Sequence, residues 1–242
     1  MLDTCRVNGD FPSRIALLAP MRIELRPLVK RLGLTSSGIG AERIWERSTS
    51  RLEVVLALAG VGTDRSAATA EQLIARYRPE HVIVAGVAGA IAQSLRIGDV
   101  VSPTHAIDAE TGFEYRSTAL PPIDGSGGIV TSDVWLEPPV VRDLEQGGVI
   151  AVDMETAAVA AVCARLGVPW SAYRGISDRL VEGIVDEAIA GLVGADGRTN
   201  LGQVARYLAP KPWRAVGLAR IARDTGRATR AVADAVALVT GW

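Results

Sequence analysis

The fold is decided by the stretch Val152–Ala158, with the sequence VDMETAA, and by Arg174–Asp178, with the sequence RGISD. The first stretch leads into an apolar run that predicts a helix, and the second ends the apolar run Val168–Ile176, which predicts a strand. In α/β proteins such helix and strand ends meet at the rim of a sheet, where ligands bind. Two acids at such a rim, here Glu155 and Asp178, can take different roles, one holding a proton and the other staying ionised.

These acids also have a plainer, structural interpretation. Asp153 can cap the helix, Glu155 can favour the helix dipole from the first turn, and Asp178 can cap the next element. Both interpretations are open for each residue alone. The combination with other features of the chain favours a site.

The composition excludes several classes of protein. The 242 residues are 48% hydrophobic and 22% charged, with a net charge of -1, so we expect a large aliphatic core and no nucleic-acid partner. Cys5, Cys163, His81 and His105 have no partner at ligand spacing, so neither a disulfide framework nor a metal site is expected. Residues Met1–Phe11 lack an apolar signal-peptide core, and no apolar run is long enough to span a membrane, so we expect a cytoplasmic protein.

Strands alternate with helices along the chain, and most predicted strands are continuous runs of Val, Ile and Ala. This pattern predicts a mostly parallel central sheet with helices on both faces. Helices are predicted over Met21–Leu32, Ala67–Tyr77, Pro138–Gln146 and Met154–Leu166. Strands are predicted over Ile15–Ala19, Arg43–Arg47, Leu52–Ala59, His81–Ala85, Asp99–Ile107 and Ile129–Thr131, with a surface loop over Thr111–Gly128. We expect one domain over 14–200, an N-terminal extension over 1–13 and a helical tail over 201–242 packed on the domain.

Two glycine-containing turns, Gly60–Gly62 and Gly86–Gly89, are each predicted to join a strand to a helix. Their amides can approach an anion, but neither completes a dinucleotide or P-loop motif, so an NAD-type domain is disfavoured. Arg174 lies late in a buried strand and therefore needs an acid or an anion nearby. Trp135 is either a core anchor or a stacking platform for a flat ligand. Glu24, taken alone, is an ordinary helix acid.

Several segments, in chain order, resemble the nucleoside phosphorylase / nucleosidase superfamily: Ala19–Glu24, Ala59–Gly62, Gly86–Ala90, Ile97–Val101, Val152–Ala158 and Arg174–Asp178. The resemblance covers roughly residues 14–180 and is nearest to the methylthioadenosine/S-adenosylhomocysteine nucleosidase branch. It implies a single-domain, three-layer α/β/α fold with a central mixed sheet, and a homodimer or larger homo-oligomer. In the tail, Asp196–Gly202 and Arg220–Asp224 look like the hopanoid-associated members, which are thought to remove adenine from an adenosylhopane.

The resemblance implies cleavage of a purine N-glycosidic bond, with Asp178 protonating the leaving base and Glu24 and Arg174 holding the nucleophile. It implies contacts of Glu155 and Met154 with the ribose and of Trp135 and Leu136 with the base. The other implied substrate-binding residues are Met21, Val87, Ala88, Gly89, Asp153 and Ser177. It implies no cofactor other than phosphate as a co-substrate, for which Gly60, Gly62 and Arg65 are candidate ligands.

Three departures from the family pattern bear on this expectation. Val87 stands where the family often has Ser or Thr, and no Arg lies near Val84, so phosphorolysis is weakened more than hydrolysis. Asp153 replaces the usual Glu. A nucleoside- or base-binding protein that has lost catalysis is therefore an alternative, although Glu24 and Asp178 are intact.

The tail also carries a prediction of its own. Between Gln203 and Arg230, arginines alternate with apolar residues, and a basic, apolar helix favours an anionic membrane surface. The alternative is a helix that simply packs on the sheet and exposes its arginines.

Overall fold

The computed structural model describes residues 11–37, 44–180 and 214–242. The strands described there are β1 Arg14–Ala19, β2 Thr35–Ser37, β3 Ile44–Ser48, β4 Glu53–Leu58, β5 His81–Ala90, β6 Val100–Val101, β7 His105–Asp108, β8 Glu114–Arg116, β9 Gly128–Thr131, β10 Val149–Asp153 and β11 Trp170–Arg179. The helices are α1 Arg22–Leu32, α2 Thr63–Tyr77, α3 Pro138–Gln146, α4 Thr156–Leu166 and α5 Arg214–Thr240. Most of the predicted N-terminal extension, the segment Asp196–Gly202 and the first part of the tail lie outside the described residues.

The described strands form one 11-stranded mixed sheet, which confirms the predicted fold class. The order is β2-β3-β4-β1-β5-β10-β9-β7-β8, with β11 paired to β5 and to β6. Strands β4, β1, β5 and β11 run parallel to one another, whereas β10 runs antiparallel to β5. The parallel centre follows from the Val, Ile and Ala runs, because parallel strands are buried on both faces.

Helices cover both faces of the sheet and complete three layers. On one face, α2 and α4 bury residues such as Leu73 and Val159 against β4, β1 and β5. On the other face, α1 and the second half of α5 bury residues such as Leu28 and Val236. Helix α1 ends as predicted at Gly33, whose φ of 63° is the left-handed conformation that favours glycine at a helix end.

Five details of the predicted secondary structure are wrong. Strand β5 continues through Gly86–Gly89, so the predicted turn and following helix do not exist there. The single strand predicted over Asp99–Ile107 is two strands, β6 and β7, and the predicted loop Thr111–Gly128 contains β8. Strands β2 and β10 were not predicted. The physical cause at β5 is a side chain that crosses the strand, as described below.

The turn Gly60–Gly62 is present, and α2 follows it. Gly60 and Gly62 have φ values of 86° and 98°, which require glycine. The helix begins at Thr63, four residues before the predicted start at Ala67, and its N-cap is Gly62. Among the helices in the described ranges, none is long and apolar enough to cross a membrane.

Candidate functional site

Strands β1 and β10 end towards each other along one edge of β5. Strand β1 pairs in parallel with His81–Val84, and β10 pairs in antiparallel with Gly89–Ala90. Their carboxyl ends therefore converge beside Gly86–Ala88. Glu24 follows β1 in the first turn of α1, and Glu155 follows β10 at the N-cap of α4. The topology thus brings together two acids that are far apart in the sequence.

A cavity of about 480 Å³ opens at this convergence. Of the predicted site residues, the polar ones that line the cavity are Glu24, Asp153, Glu155, Ser177 and Asp178. The apolar ones that line it are Met21, Val87, Ala88, Gly89, Trp135, Leu136 and Met154. Arg174 is fully buried behind Glu155, while Gly60, Gly62 and Arg65 belong to the turn and first helical turn of α2. In the part of the chain that the structure describes, no three His, Cys, Asp or Glu side chains are grouped to hold a metal ion.

Glu24 is held rigidly in the wall of the cavity and is only 2% exposed. Its Oε2 accepts the N–H of Met21 at 2.6 Å, and its Oε1 accepts the N–H of Val87 at 2.8 Å. Burial raises the pKa of Glu24 to about 8, although the charge of Arg174 and the two N–H groups act in the opposite direction. A carboxyl group that titrates near neutrality is suited to accept a proton during a reaction.

Arg174 is completely buried and is paired with two carboxylates. Its Nη2 lies 2.5 Å from Asp153 Oδ2 and 3.0 Å from Glu155 Oε2. Its Nε donates to Thr156 Oγ1 at 3.2 Å. The expectation that Arg174 requires an acidic partner is therefore met, because burial of an unpaired guanidinium would be costly.

Gly86 makes the crossing of Arg174 over β5 possible. The two residues are register partners on adjacent strands. A Cβ atom at position 86 would lie 2.5 Å from Arg174 Nη1 and 2.6 Å from Glu24 Oε1. A glycine inside a strand often marks such a close approach. Gly86, which was predicted to lie in a turn, is therefore a strand residue whose lack of a side chain leaves room for Arg174.

Glu155 connects this group to the start of α2. Burial raises the pKa of Glu155 to about 7, with Arg174 opposing the shift. Glu155 Oε1 accepts the N–H of Gly62 at 3.2 Å. One of the amides that the sequence offered to a phosphate is therefore bonded to a carboxylate of the chain itself.

Thr63, the first residue of α2, is bonded to Asp133, a residue that the sequence did not single out. The N–H of Thr63 donates to Asp133 Oδ1 at 3.1 Å, and the Thr63 hydroxyl donates to Asp133 Oδ2. Asp133 thereby satisfies the preference of a helix N-terminus for negative charge. Arg65 is exposed, and its side chain does not contribute to the cavity wall formed by the described residues.

Asp178 is turned into the cavity by an irregularity in β11. The register between β5 and β11 shifts between Ile176 and Asp178. In a regular strand these two side chains would share one face, but Ile176 is in the core and Asp178 lines the cavity. Bulges next to active sites commonly redirect a side chain in this way. The hydroxyl of Ser177 donates to Asp178 Oδ1 at 2.7 Å and fixes the carboxyl group.

Trp135 lies in the loop between β9 and α3 at the mouth of the cavity. Its exposed fraction is 51%, so it is not a core anchor, and its ring is accessible to a flat ligand. The neighbouring Val134 is 74% exposed. The hydroxyl of Ser132 donates to the carbonyl of Val134 at 2.7 Å and orders the loop.

Similarity to known proteins shows the family to which this chain belongs. The family description "Phosphorylase superfamily" matches residues 14–146 and 126–209. The chain belongs to this superfamily. It is 31% identical to a 5′-methylthioadenosine/S-adenosylhomocysteine nucleosidase of Bacillus thuringiensis, over 68% of this chain and 85% of the relative. The predicted superfamily and the prediction of an enzyme are confirmed.

Solved structures of the superfamily share its fold. A futalosine hydrolase of Helicobacter pylori has a TM-score of 0.68 at 18% identity, covering 95% of this chain and 97% of that chain. A mutant methylthioadenosine/S-adenosylhomocysteine nucleosidase of the same organism, with 5′-methylthioadenosine in its active site, has a TM-score of 0.67 at 18% identity, covering 95% and 98%. These likenesses confirm the predicted nucleoside phosphorylase-like fold.

Proposed function

We propose that the chain cleaves the N-glycosidic bond of a 5′-substituted adenosine and that water is the nucleophile. The observation that carries the proposal is one cavity lined by both Glu24 and Asp178, with Arg174 behind it. Cleavage through an oxocarbenium-like sugar needs an acid for the leaving group and a group that activates the nucleophile. The names of the relatives, a nucleosidase and a futalosine hydrolase, agree with this chemistry.

The proposed reaction balances with the residues of the cavity. Asp178, in its acid form, gives a proton to the five-membered ring of the purine while the C1′–N bond breaks and its electron pair stays with the base. Water adds to C1′ and passes a proton to Glu24. Asp178 is left ionised and Glu24 protonated, and exchange with solvent restores both.

The other lining residues are assigned to substrate binding. Glu155 accepts a hydrogen bond from the ribose, and Met154 packs against the sugar. Trp135 covers the face of the base, and backbone groups of Leu136 bond its edge. The remaining proposed contacts are Met21, Val87, Ala88, Gly89 and Ser177.

Three features support water rather than phosphate. Arg174 already faces the carboxylates of Asp153, Glu155 and Glu24, so its charge is compensated within the protein. The amides of Gly62 and Thr63 are bonded to carboxylates. No Lys or Arg is among the described residues that line the cavity. A phosphate dianion entering here would meet acidic groups without a compensating cation.

The direct test is base release from methylthioadenosine, adenosine and inosine, with and without phosphate. We expect adenine from methylthioadenosine at a rate that does not depend on phosphate. The alternative, a nucleoside- or base-binding protein with weakened catalysis, predicts binding of the same compounds without base release. Absence of both binding and release would contradict the proposed substrate class.

For the 5′ substituent we propose a large apolar group, as in an adenosylhopane. The proposal is supported by Val134, an apolar residue of the cavity lining that is 74% exposed. Burial of each methylene is worth about 0.8 kcal/mol, or roughly fourfold in affinity. Adenosines with longer 5′-alkyl chains should therefore have higher kcat/KM. A decrease with chain length would overturn the proposal.

We propose that the tail meets an anionic lipid surface. The first half of α5 is largely exposed, with Val216 at 76% and with exposed Arg220 and Arg223. Asp224 pairs with both arginines and reduces their net charge. Co-sedimentation with phosphatidylserine vesicles at low and physiological salt tests the proposal. If no binding occurs in either condition, α5 is a packing element only.

We propose a homodimer or a larger homo-oligomer. Its support is the exposure of large apolar side chains away from the core, such as Phe113 at 65% and Val140 at 45%. Analytical ultracentrifugation of the full chain should give at least a dimer. A monomer at micromolar concentration would contradict this proposal and leave the proposed chemistry untouched.

A further inference from the structure

We infer that Asp153, Thr131 and Thr156 form one positioning unit, the Asp153 cluster, which orients the guanidinium of Arg174. In this account Asp153 acts through Arg174 instead of contacting the substrate. The inference rests on the proposed function, in which Arg174 and Glu24 hold the nucleophile. It assigns roles to two threonines that have no part in the chemistry itself.

The carboxylate of Asp153 is engaged by protein donors on both oxygens. Its Oδ1 accepts from the Thr131 hydroxyl at 2.6 Å and from the N–H groups of Glu155 and Thr156 at 3.3 and 3.2 Å. Its Oδ2 accepts from the Thr156 hydroxyl and pairs with Arg174 Nη2 at 2.5 Å. A carboxylate has about four acceptor positions. Little acceptor capacity is left for a substrate, although Asp153 borders the cavity.

Thr156 bridges the Asp153 carboxylate and the Arg174 guanidinium. Its hydroxyl donates to Asp153 Oδ2 and accepts from Arg174 Nε at 3.2 Å. The single hydroxyl proton is therefore committed to the carboxylate, and a lone pair is committed to the guanidinium. This arrangement fixes the side of Arg174 that carries Nε and Nη2.

Thr131 ties the cluster to the start of α4. It is the register partner of Asp153 across β9 and β10. Its hydroxyl donates to Asp153 and accepts from the N–H of Ala157 at 2.8 Å. Thr131 contacts Asp153 but makes no bond to Arg174 among the described contacts, so it lies one step further from the reacting atoms than Thr156.

The orientation matters because a guanidinium is planar and rigid. When Nε and Nη2 are fixed by the cluster, the rigid guanidinium also fixes Nη1 beside Gly86, at the place that Glu24 Oε1 borders from the other side. A displacement of about 1 Å at such a position can cost about 100-fold in rate. The cluster therefore sets the geometry in which the nucleophile is held.

The test compares Thr156→Val, which keeps the shape and removes the hydroxyl, with Thr156→Ser, which keeps the hydroxyl. Thr240→Val is the matched control, because Thr240 is also buried and its hydroxyl bonds Val236 at the far end of α5. With methylthioadenosine as substrate, Thr156→Val should lower kcat about 10- to 100-fold with little change in KM. Thr156→Ser should restore kcat to within a few-fold, and Thr131→Val should have a smaller effect than Thr156→Val.

A pH profile separates positioning from general loosening of the fold. Arg174 lowers the pKa of Glu24, and Glu155 opposes it, so a displaced guanidinium should raise the pH of half-maximal kcat/KM in Thr156→Val and not in Thr240→Val. If Thr156→Val keeps the wild-type kcat and pH profile while Arg174→Lys is inactive, the cluster has no positioning role and the proposed function stands. If the wild-type protein and Arg174→Lys release adenine equally, or neither does, the proposed function itself fails.

Discussion

Glu24 Oε1 and Arg174 Nη1 approach the same point beside Gly86, from opposite edges of β5. The carboxylate arrives from the helix after β1, and the guanidinium arrives from β11 on the other edge of the strand. Burial raises the pKa of Glu24 to about 8, and the charge of Arg174 opposes this shift. We interpret this point as the place where the nucleophile is held.

Gly86→Ala should abolish most of the activity while the protein still folds. The new methyl carbon would stand 2.5 Å from Arg174 Nη1 and 2.6 Å from Glu24 Oε1, and both side-chain ends must move. We expect kcat/KM to fall by about 100-fold or more. The control is Gly217→Ala in α5, where an added Cβ meets nothing within 4 Å. Equal activity of the two variants would contradict the crossing of Arg174 at Gly86.

Asp178→Asn should abolish turnover and leave the fold intact. Asparagine cannot deliver a proton to the leaving base, and this protonation is worth about 10²- to 10⁴-fold. The bulge at β11 and the Ser177 hydrogen bond do not require a charge, so thermal unfolding should change little. Near-normal adenine release by this variant would refute the assignment of Asp178 as the acid.

Glu24→Gln should reduce turnover much more than substrate binding. Gln can accept one of the two N–H groups that Glu24 now accepts, from Met21 and Val87, but cannot take a proton from water. Isothermal titration with a non-cleavable adenosine analogue, beside single-turnover kinetics, separates the two effects. If binding collapsed and bound substrate were still cleaved, Glu24 would be a substrate anchor.

Stability should decrease as the pH rises from about 6.5 to about 8. Glu24 and Glu155 have folded-state pKa values raised from 4.5 to about 8 and about 7, so the folded chain holds protons that the unfolded chain has released. The free energy of unfolding therefore falls with pH in this window. Below pH 6.5 the buried His81, with a pKa lowered to about 4, acts in the opposite direction. The free energy of unfolding, measured by urea unfolding at several pH values in this window, should fall less steeply with pH in Glu24→Gln than in the wild-type protein. An identical dependence on pH would contradict the raised pKa of Glu24.

Local patterns in the sequence predicted the class of the fold, and the family resemblance named most of the residues that line the cavity. The runs of Val, Ile and Ala mark the central strands, and the segments around Glu155 and Asp178 carry the family resemblance. Gly86 was wrongly predicted to lie in a turn, because glycine is typical of turns. Its place in a strand is explained only by the side chain of Arg174, which passes over it. That crossing depends on which strands are neighbours, which no local pattern specifies.

Thr131 and Asp133 could not be predicted from the sequence for the same reason. Thr131 meets Asp153 only because β9 and β10 pair in register, and Asp133 meets Thr63 only because the loop after β9 folds over the start of α2. Thr156 alone had a local signal, since it stands three residues after Asp153, the spacing of a helix cap. The amides of Gly60–Gly62 were predicted to offer an anion site, and nothing local indicates that the N–H of Gly62 is bonded to Glu155 and the N–H of the adjacent Thr63 to Asp133.

Glu24 and Arg174 are proposed to hold the water that hydrolyses the N-glycosidic bond. The most direct measurement is mass spectrometry of the sugar product formed from 5′-methylthioadenosine in phosphate buffer, with adenine release followed in parallel. If water is the nucleophile, the products are adenine and the unphosphorylated sugar, formed at a rate that does not change when phosphate is removed. A sugar 1-phosphate as the product, with no reaction in the absence of phosphate, would contradict it.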